Sequence, residues 1–85
     1  SVGAPNVVLE TVKQAEDGDG WIVRLYECDN ARTDTFLRWN RPVLSVEECN
    51  CIEEKKADAS FENGGISFTI LPYEIKTFRI REKEA

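Results

Sequence analysis

The sequence predicts an all-β fold, a small antiparallel β-sandwich of about seven strands. Three observations predict it. Turn-forming clusters recur at short intervals along the 85 residues. The runs between them have strand length and are rich in Val, Ile, Thr and aromatic residues. Ile66-Ser67-Phe68-Thr69-Ile70 alternates cleanly between apolar and polar, the period of a strand with one buried face. A chain this short makes one domain, spanning 1–85, and buries only about 60–65% of the surface that its unfolded form exposes.

Strands are expected at roughly 7–13, 21–28, 33–39, 43–52, 59–62, 66–71 and 73–80. Asp17-Gly18-Asp19-Gly20 separates the first two, because Asp and Gly tolerate the positive φ of a tight hairpin. Asp29-Asn30-Ala31-Arg32, Asn40-Arg41-Pro42 and Asn63-Gly64-Gly65 are the other turn signals. In the second strand Trp21, Val23 and Leu25 share one face, and Ile22, Arg24, Tyr26 and Cys28 share the other. A strand apolar on both faces points to a partner surface outside the sheet. The stretch 47–58 is rich in Glu and Lys; it suits a short helix by propensity, but its few apolar residues make no stripe, so a strand to Ile52 and then a polar loop is expected. The last strand changes phase, with Tyr73 and Ile75 on one face and Phe78 and Ile80 on the other. A bulge near Lys76-Thr77 and burial on two sides both account for this. Pro72 sits where a strand can begin without its N–H. The tail 81–85 is expected to fray.

Sixteen acidic and eleven basic residues give a formal charge of -5. That disfavours nucleic acid and anionic membrane surfaces as partners, since both need a basic face. No apolar run approaches the roughly 20 residues of a membrane span, and the N-terminus lacks a signal-peptide layout. The chain contains no methionine, which marks it as a processed product or a fragment of a larger protein. Cys28, Cys49 and Cys51 are an odd number, and no Asn-x-Ser/Thr sequon is present; reduced thiols and a cytoplasmic location are expected.

Few residues suggest chemistry. Cys49-Asn50-Cys51 would place two thiols on one face of a strand, but a closed zinc site needs four ligands and there is no histidine. The same lack removes the usual base for a serine or cysteine nucleophile. Retaining glycosidases use two carboxyl groups about 5–5.5 Å apart, yet Glu47-Glu48 and Glu53-Glu54 are strand neighbours that point to opposite faces. Glu27 follows an apolar stretch, and a strand-end salt bridge or a contact to a neighbouring domain is its expected role. Trp21, Trp39, Tyr26 and Tyr73 suit sugar stacking and core filling alike; Trp21 shares a face with Val23 and Leu25, which favours the core for it.

Five pieces of the chain resemble a known family in order and spacing. They are Asn6-Val7-Val8-Leu9-Glu10-Thr11-Val12-Lys13 with Ala15-Glu16-Asp17-Gly18, then Arg24-Leu25-Tyr26-Glu27-Cys28, then Asn30, Arg32 and Thr33. Ser45-Val46-Glu47-Glu48-Cys49-Asn50 with Ile52-Glu53-Glu54 follows, and Pro72 to Ile80 closes the set. Together they resemble the C-terminal β domain of family 38 α-mannosidases. The resemblance implies a fragment of a larger enzyme with no activity of its own. Family 38 enzymes are retaining exo-α-mannosidases with an aspartate nucleophile and a zinc ion, both in an N-terminal α/β domain. No catalytic or metal-binding residue therefore carries over to this chain, and zinc is implied only for the parent catalytic domain.

The implied partner is the catalytic domain of the same parent chain, with α-mannoside sugars as a second candidate. The implied role is to stabilise the catalytic assembly, with some loops near the substrate cleft. Asn30 and Arg32, in the 29–32 loop, are the candidates for such an approach, and Trp39 and Tyr73 are the candidate sugar-stacking or interface residues. An independent carbohydrate-binding module and an immunoglobulin-like interaction domain are the alternative functions.

Overall fold

The structure, a computed structural model, describes residues 2–83. Seven strands follow one another: β1 (Val7–Gln14), β2 (Trp21–Glu27), β3 (Thr33–Arg38), β4 (Val43–Cys49), β5 (Lys55–Ala59), β6 (Gly65–Ile70) and β7 (Ile75–Glu82). A five-stranded sheet has the order β1-β2-β7-β4-β5, and β3 and β6 form a second, two-stranded sheet. Every pairing is antiparallel. This is the antiparallel β-sandwich that the alternating runs predict.

The core lies between the sheets. Val23 and Leu25 of β2, Val46 of β4 and Phe78 and Ile80 of β7 supply one wall; Leu37 of β3 and Ile66 and Ile70 of β6 supply the other. The Phe68 ring of β6 meets the Phe78 ring edge-on, with centroids 5.2 Å apart, a favoured aromatic geometry. The β5–β6 connection tightens at Asn63 and Gly64, both at positive φ, and Glu62 and Gly65 exchange two backbone hydrogen bonds. Gly65 has no room for a side chain, because a Cβ there would overlap the Phe36 ring and the Leu37 carbonyl.

The phase change in β7 is resolved in favour of two-sided burial. Its register with β2 runs unbroken from Trp21↔Ile80 to Tyr26↔Ile75, so no bulge lies at Lys76-Thr77 on that side. Phe78 and Ile80 face the core, while Thr77 and Arg79 are buried on the opposite face. Tyr73 precedes the strand, and Ile75 is 62% exposed, so neither joins the core.

That opposite face is covered by the chain itself. Arg79 donates to Asp17 Oδ1 (2.9 Å) and the Asp19 carbonyl in the β1–β2 turn, and to the Glu53 carbonyl (3.2 Å) in the β4–β5 turn. Arg24 donates to the Cys51 carbonyl at 2.9 Å. Glu16 N donates to Glu53 Oε1 at 3.0 Å and joins the two turns. Ile22 pairs with Arg79 in the register and is fully buried. The apolar outer face of β2 at Ile22 is thus explained by two folded-over turns, and it calls for no missing partner there.

Three expectations are corrected. β5 occupies Lys55–Ala59, so that all but its last residue falls in the stretch expected to be a polar loop, and β4 ends at Cys49. Of the strand expected at 59–62, only Ala59 lies in a strand, as the end of β5; 60–62 belongs to the connection to β6, with Phe61 packed on the core. The expected frayed tail does not begin at Arg81: β7 continues through Arg81 and Glu82, and Lys83 N donates to the Pro42 carbonyl at 3.0 Å. Positions 84 and 85 lie outside the described residues. Arg81 stays ordered because its guanidinium grips Asp19 with three contacts of 2.8–3.0 Å, and it also meets Glu47 at 3.1 Å.

Candidate functional site

Glu27 organises one end of the sandwich. It is the last residue of β2 and belongs to the inward set Trp21, Val23, Leu25, so alternation carries its carboxylate into the protein. Only 1% of it is exposed. Oε1 accepts from the Tyr73 N–H (3.0 Å), and Oε2 accepts from the Asp29 N–H (2.7 Å) and Asn6 Nδ2 (2.8 Å). Asn6 Nδ2 also reaches Thr33 Oγ1 at 2.7 Å. One carboxylate therefore ties the start of β1, the 28–32 turn and the 71–74 turn together. Desolvation pushes its pKa up, but the hydrogen bonds from Tyr73, Asn6 and Asp29 outweigh it and bring the value down to about 2. Among the described residues no cation pairs with Glu27. Its role is a buried hydrogen-bonding hub, which replaces the salt bridge expected from its position at a strand end.

Two of the turns held by Glu27 carry three of the four candidate residues. Asn30 (φ 57) and Arg32 are exposed on the 28–32 turn. Tyr73 sits at φ 57 and is 65% exposed. Positive φ is rare for a bulky residue and strains the backbone, and here the Glu27 carboxylate holds the strained N–H. Leu71 (50% exposed) and Ile75 (62%) flank Tyr73.

Trp39 lies at the other end. Its indole Nε1 donates to Glu82 Oε2 at 2.8 Å, and Trp21 Nε1 donates to Glu82 Oε1 at 3.1 Å. Arg41 pairs with Glu82 (2.7 Å) and stands 5.4 Å from the Trp21 ring centroid and 5.6 Å from that of Trp39. Trp21 opens β2 and Glu27 closes it, so the two ends stand about 20 Å apart. Trp39 does not form one surface with Asn30, Arg32 and Tyr73. Its ring is half-buried against the core and faces a guanidinium, an arrangement that serves the fold.

The cysteines are unpaired: Cys49 is buried, and Cys28 and Cys51 are exposed. Cys51 lies in the turn beyond β4, so it does not share a strand face with Cys49. Burial pushes the Cys49 thiol up. Among the described residues no group of three or more His, Cys, Asp or Glu side chains is placed to hold a metal ion. No helix of the described residues is long and apolar enough to cross a membrane.

The family model of the glycosyl hydrolases family 38 C-terminal beta sandwich domain matches residues 6–78. This chain belongs to that family. The family 38 C-terminal domain is similar to Alpha-mannosidase G of Dictyostelium discoideum, with 37% identity over 76 residues, covering 86% of this chain and 7% of that protein. It is also similar to Alpha-mannosidase 2C1 of Mus musculus, 30% identical over 82 residues (91% of this chain, 8% of the relative), and of Homo sapiens, 31% identical over 80 residues (88% and 8%). The chain thus spans about 7–8% of the length of these relatives. No solved structure matches it.

Within this family 38 domain, the perturbed carboxyl groups all shift the same way. The Arg79 hydrogen bond holds Asp17 low, the Arg81 hydrogen bond holds Asp19 low, and the Glu16 N–H does the same for Glu53. Together with Glu27 these groups stay ionised and engaged. Sequence reasoning picked out Glu27 but misread its partners. It placed Arg41 in a turn, Arg79 in the closing strand and Glu82 in a fraying tail, and missed the contacts that these three make. A signal existed for Arg79: it sits inside an apolar terminal strand, where an unpaired charge is costly.

Proposed function

We infer that this chain is the non-catalytic C-terminal β-sandwich domain of an α-mannosidase, bracing the catalytic portion of the same polypeptide and bordering its substrate cleft. The observation that carries this is the match of the family 38 C-terminal beta sandwich domain over residues 6–78, together with relatives that are α-mannosidases. The pre-organised end at Tyr73, with exposed Leu71 and Ile75 beside it and Arg32 and Asn30 on the adjoining turn, suits docking against that portion. Tyrosine and arginine are the residue types that most often anchor interfaces, and a rigid surface loses little entropy on docking. The parent's hydrolysis of terminal α-mannosyl residues, and the zinc that family resemblance gives to its catalytic domain, belong to the same reading. A cytoplasmic location belongs to the same reading, and three unpaired thiols in so small a domain support it.

The test uses a family 38 α-mannosidase from which this domain has been deleted. The chain alone, with zinc and an aryl α-mannoside, is expected to release no mannose. Added to the deleted enzyme, it is expected to restore thermal stability and turnover. Turnover by the chain alone above a zinc-only blank would overturn the reading. A second reading, independent binding of mannosides, is favoured only by the exposure of Tyr73. Saturable perturbation of Tyr73 by α-mannobiose in the isolated chain would support it.

A further inference from the structure

Four strand edges bound the two sheets: β1 and β5 in the larger, β3 and β6 in the smaller. An open edge offers unpaired N–H and C=O groups to any passing strand, so natural sheets blunt it with charges, bulges or coverage. Three edges here are blunted. β1 carries a register shift between Leu9 and Thr11, which leaves Glu10 out of the ladder. β5 reads Lys-Lys-Ala-Asp-Ala, with three charges in five residues. β3 is partly capped by the N-terminal segment, through the Val2↔Leu37 bridge and the Gly3 N–H to the Phe36 carbonyl (3.2 Å).

β6 is covered only at its first residue, where Gly65 bridges Glu62, and has none of these devices beyond it. Its sequence Gly-Ile-Ser-Phe-Thr-Ile has no charge and no proline, and its register with β3 is unbroken from Thr33↔Ile70 to Arg38↔Gly65. The direction of its free groups can be deduced. In an antiparallel ladder the N–H and C=O of alternate residues point to opposite sides. Gly65 gives both groups to Glu62 (3.1 and 2.9 Å), away from β3, and Trp39 N donates to the Gly64 carbonyl at 2.9 Å on the β3 side. Ile66, Phe68 and Ile70 therefore bond to β3, and the N–H and C=O of Ser67 and Thr69 point outward. Among the described residues no strand pairs with that edge.

We propose that the outer edge of β6, at Ser67 and Thr69, accepts an extended segment from the remainder of the α-mannosidase polypeptide, which adds a third strand to the two-stranded sheet. The inference rests on the proposal that this domain is part of such an enzyme. The occupant follows from the size of the relatives. The domain is 7–8% of their length, so most of such a polypeptide is tethered close by. Tethering makes the pairing intramolecular, which favours it over a second copy in dilute solution. Backbone pairing of this kind needs no particular side chains, only an unpaired edge and an extended partner.

The test is amide hydrogen exchange on the full-length enzyme that carries this domain. The Thr69 amide is expected to exchange at least about 100-fold more slowly than an exposed amide. Ser67→Pro removes an outward N–H that β3 does not use, and edge positions tolerate proline. In that variant Thr69 should return to the exposed rate, while Phe68 and Ile70 stay protected by β3. Exposed-amide exchange at Thr69 in the unsubstituted enzyme would overturn the proposal. So would protection that persists in Ser67→Pro, or protection that disappears on dilution, which would assign the edge to a second copy. Exchange is read without catalysis, so failure here is distinct from failure of the α-mannosidase reading, which the mannoside assay decides.

Discussion

Tyr73 and Glu27, 46 residues apart, are joined by a 3.0 Å hydrogen bond from the Tyr73 backbone N–H to the Glu27 carboxylate. The bond holds a tyrosine at φ 57 and fixes the 71–74 turn to the end of β2. The same carboxylate also holds the Asp29 N–H, so the two turns share one anchor.

Glu27 should govern stability in acid. Its carboxyl group falls from an ordinary 4.5 to about 2 in the folded chain. The native state thus binds fewer protons than the unfolded state between these values, and stability rises with pH across that window. Its contribution is complete above about 4.5 and is lost as the pH falls toward 2. Glu27→Gln should lower Tm at neutral pH by about 5–15 °C and flatten the fall of Tm between pH 5 and 2. Thermal unfolding followed by circular dichroism across that range checks both; an unchanged acid slope would exclude Glu27 as its source.

Tyr73→Gly separates backbone strain from side-chain function. Glycine adopts positive φ without the cost of about 1–2 kcal/mol borne by other residues, although it loses more entropy on folding. The isolated chain should keep its stability or gain up to about 1 kcal/mol in urea unfolding. In the full-length enzyme the same variant should weaken docking. A stability loss above about 1 kcal/mol in the isolated chain would show that the tyrosine ring is part of the fold.

Arg79→Ala should release both turns that cover the outer face of the larger sheet. Three hydrogen bonds disappear, and Asp17 and the Asp19 and Glu53 carbonyls lose their donor. The expected cost is about 2–4 kcal/mol, with faster amide exchange at 15–20 and 50–54 and little change in β3 or β6. Uniform loss of protection across both sheets would contradict this local role.

The cysteines should differ in reactivity. Cys28 and Cys51 are exposed, while Cys49 is buried with its thiol shifted up. Iodoacetamide at pH 8 should label two thiols promptly and the third only on unfolding. Mass spectrometry of the native digest checks the assignment, and prompt labelling of Cys49 would refute its burial.

Much of the fold is legible in local pattern. The alternation at 66–70 and the apolar run at 21–25 mark buried strands, and Asp-Gly and Asn-Gly-Gly mark the tight turns, because strand period and positive φ are properties of neighbouring residues. The five charges and alanines of β5 are not legible in this way. An edge strand exposed to solvent buries little, so nothing in its composition separates it from a polar loop. The fraying assigned to Arg81 and Glu82 fails for a related reason: their partners Asp19, Trp21, Trp39 and Arg41 lie far away in sequence.

The sequence by itself determined the β class and marked Asn30, Arg32, Trp39 and Tyr73 as candidates, since these follow from composition, period and family resemblance. Only the tertiary structure decided that Asn30, Arg32 and Tyr73 share one end through Glu27 while Trp39 serves a clamp at the other. It alone decided that the outer face of β2 is covered by the chain's own turns and that, among the described residues, no strand pairs with the outer edge of β6 at Ser67 and Thr69. Strand order and register bring distant residues together, and hydrogen bonds and ion pairs over tens of residues leave no trace in local pattern.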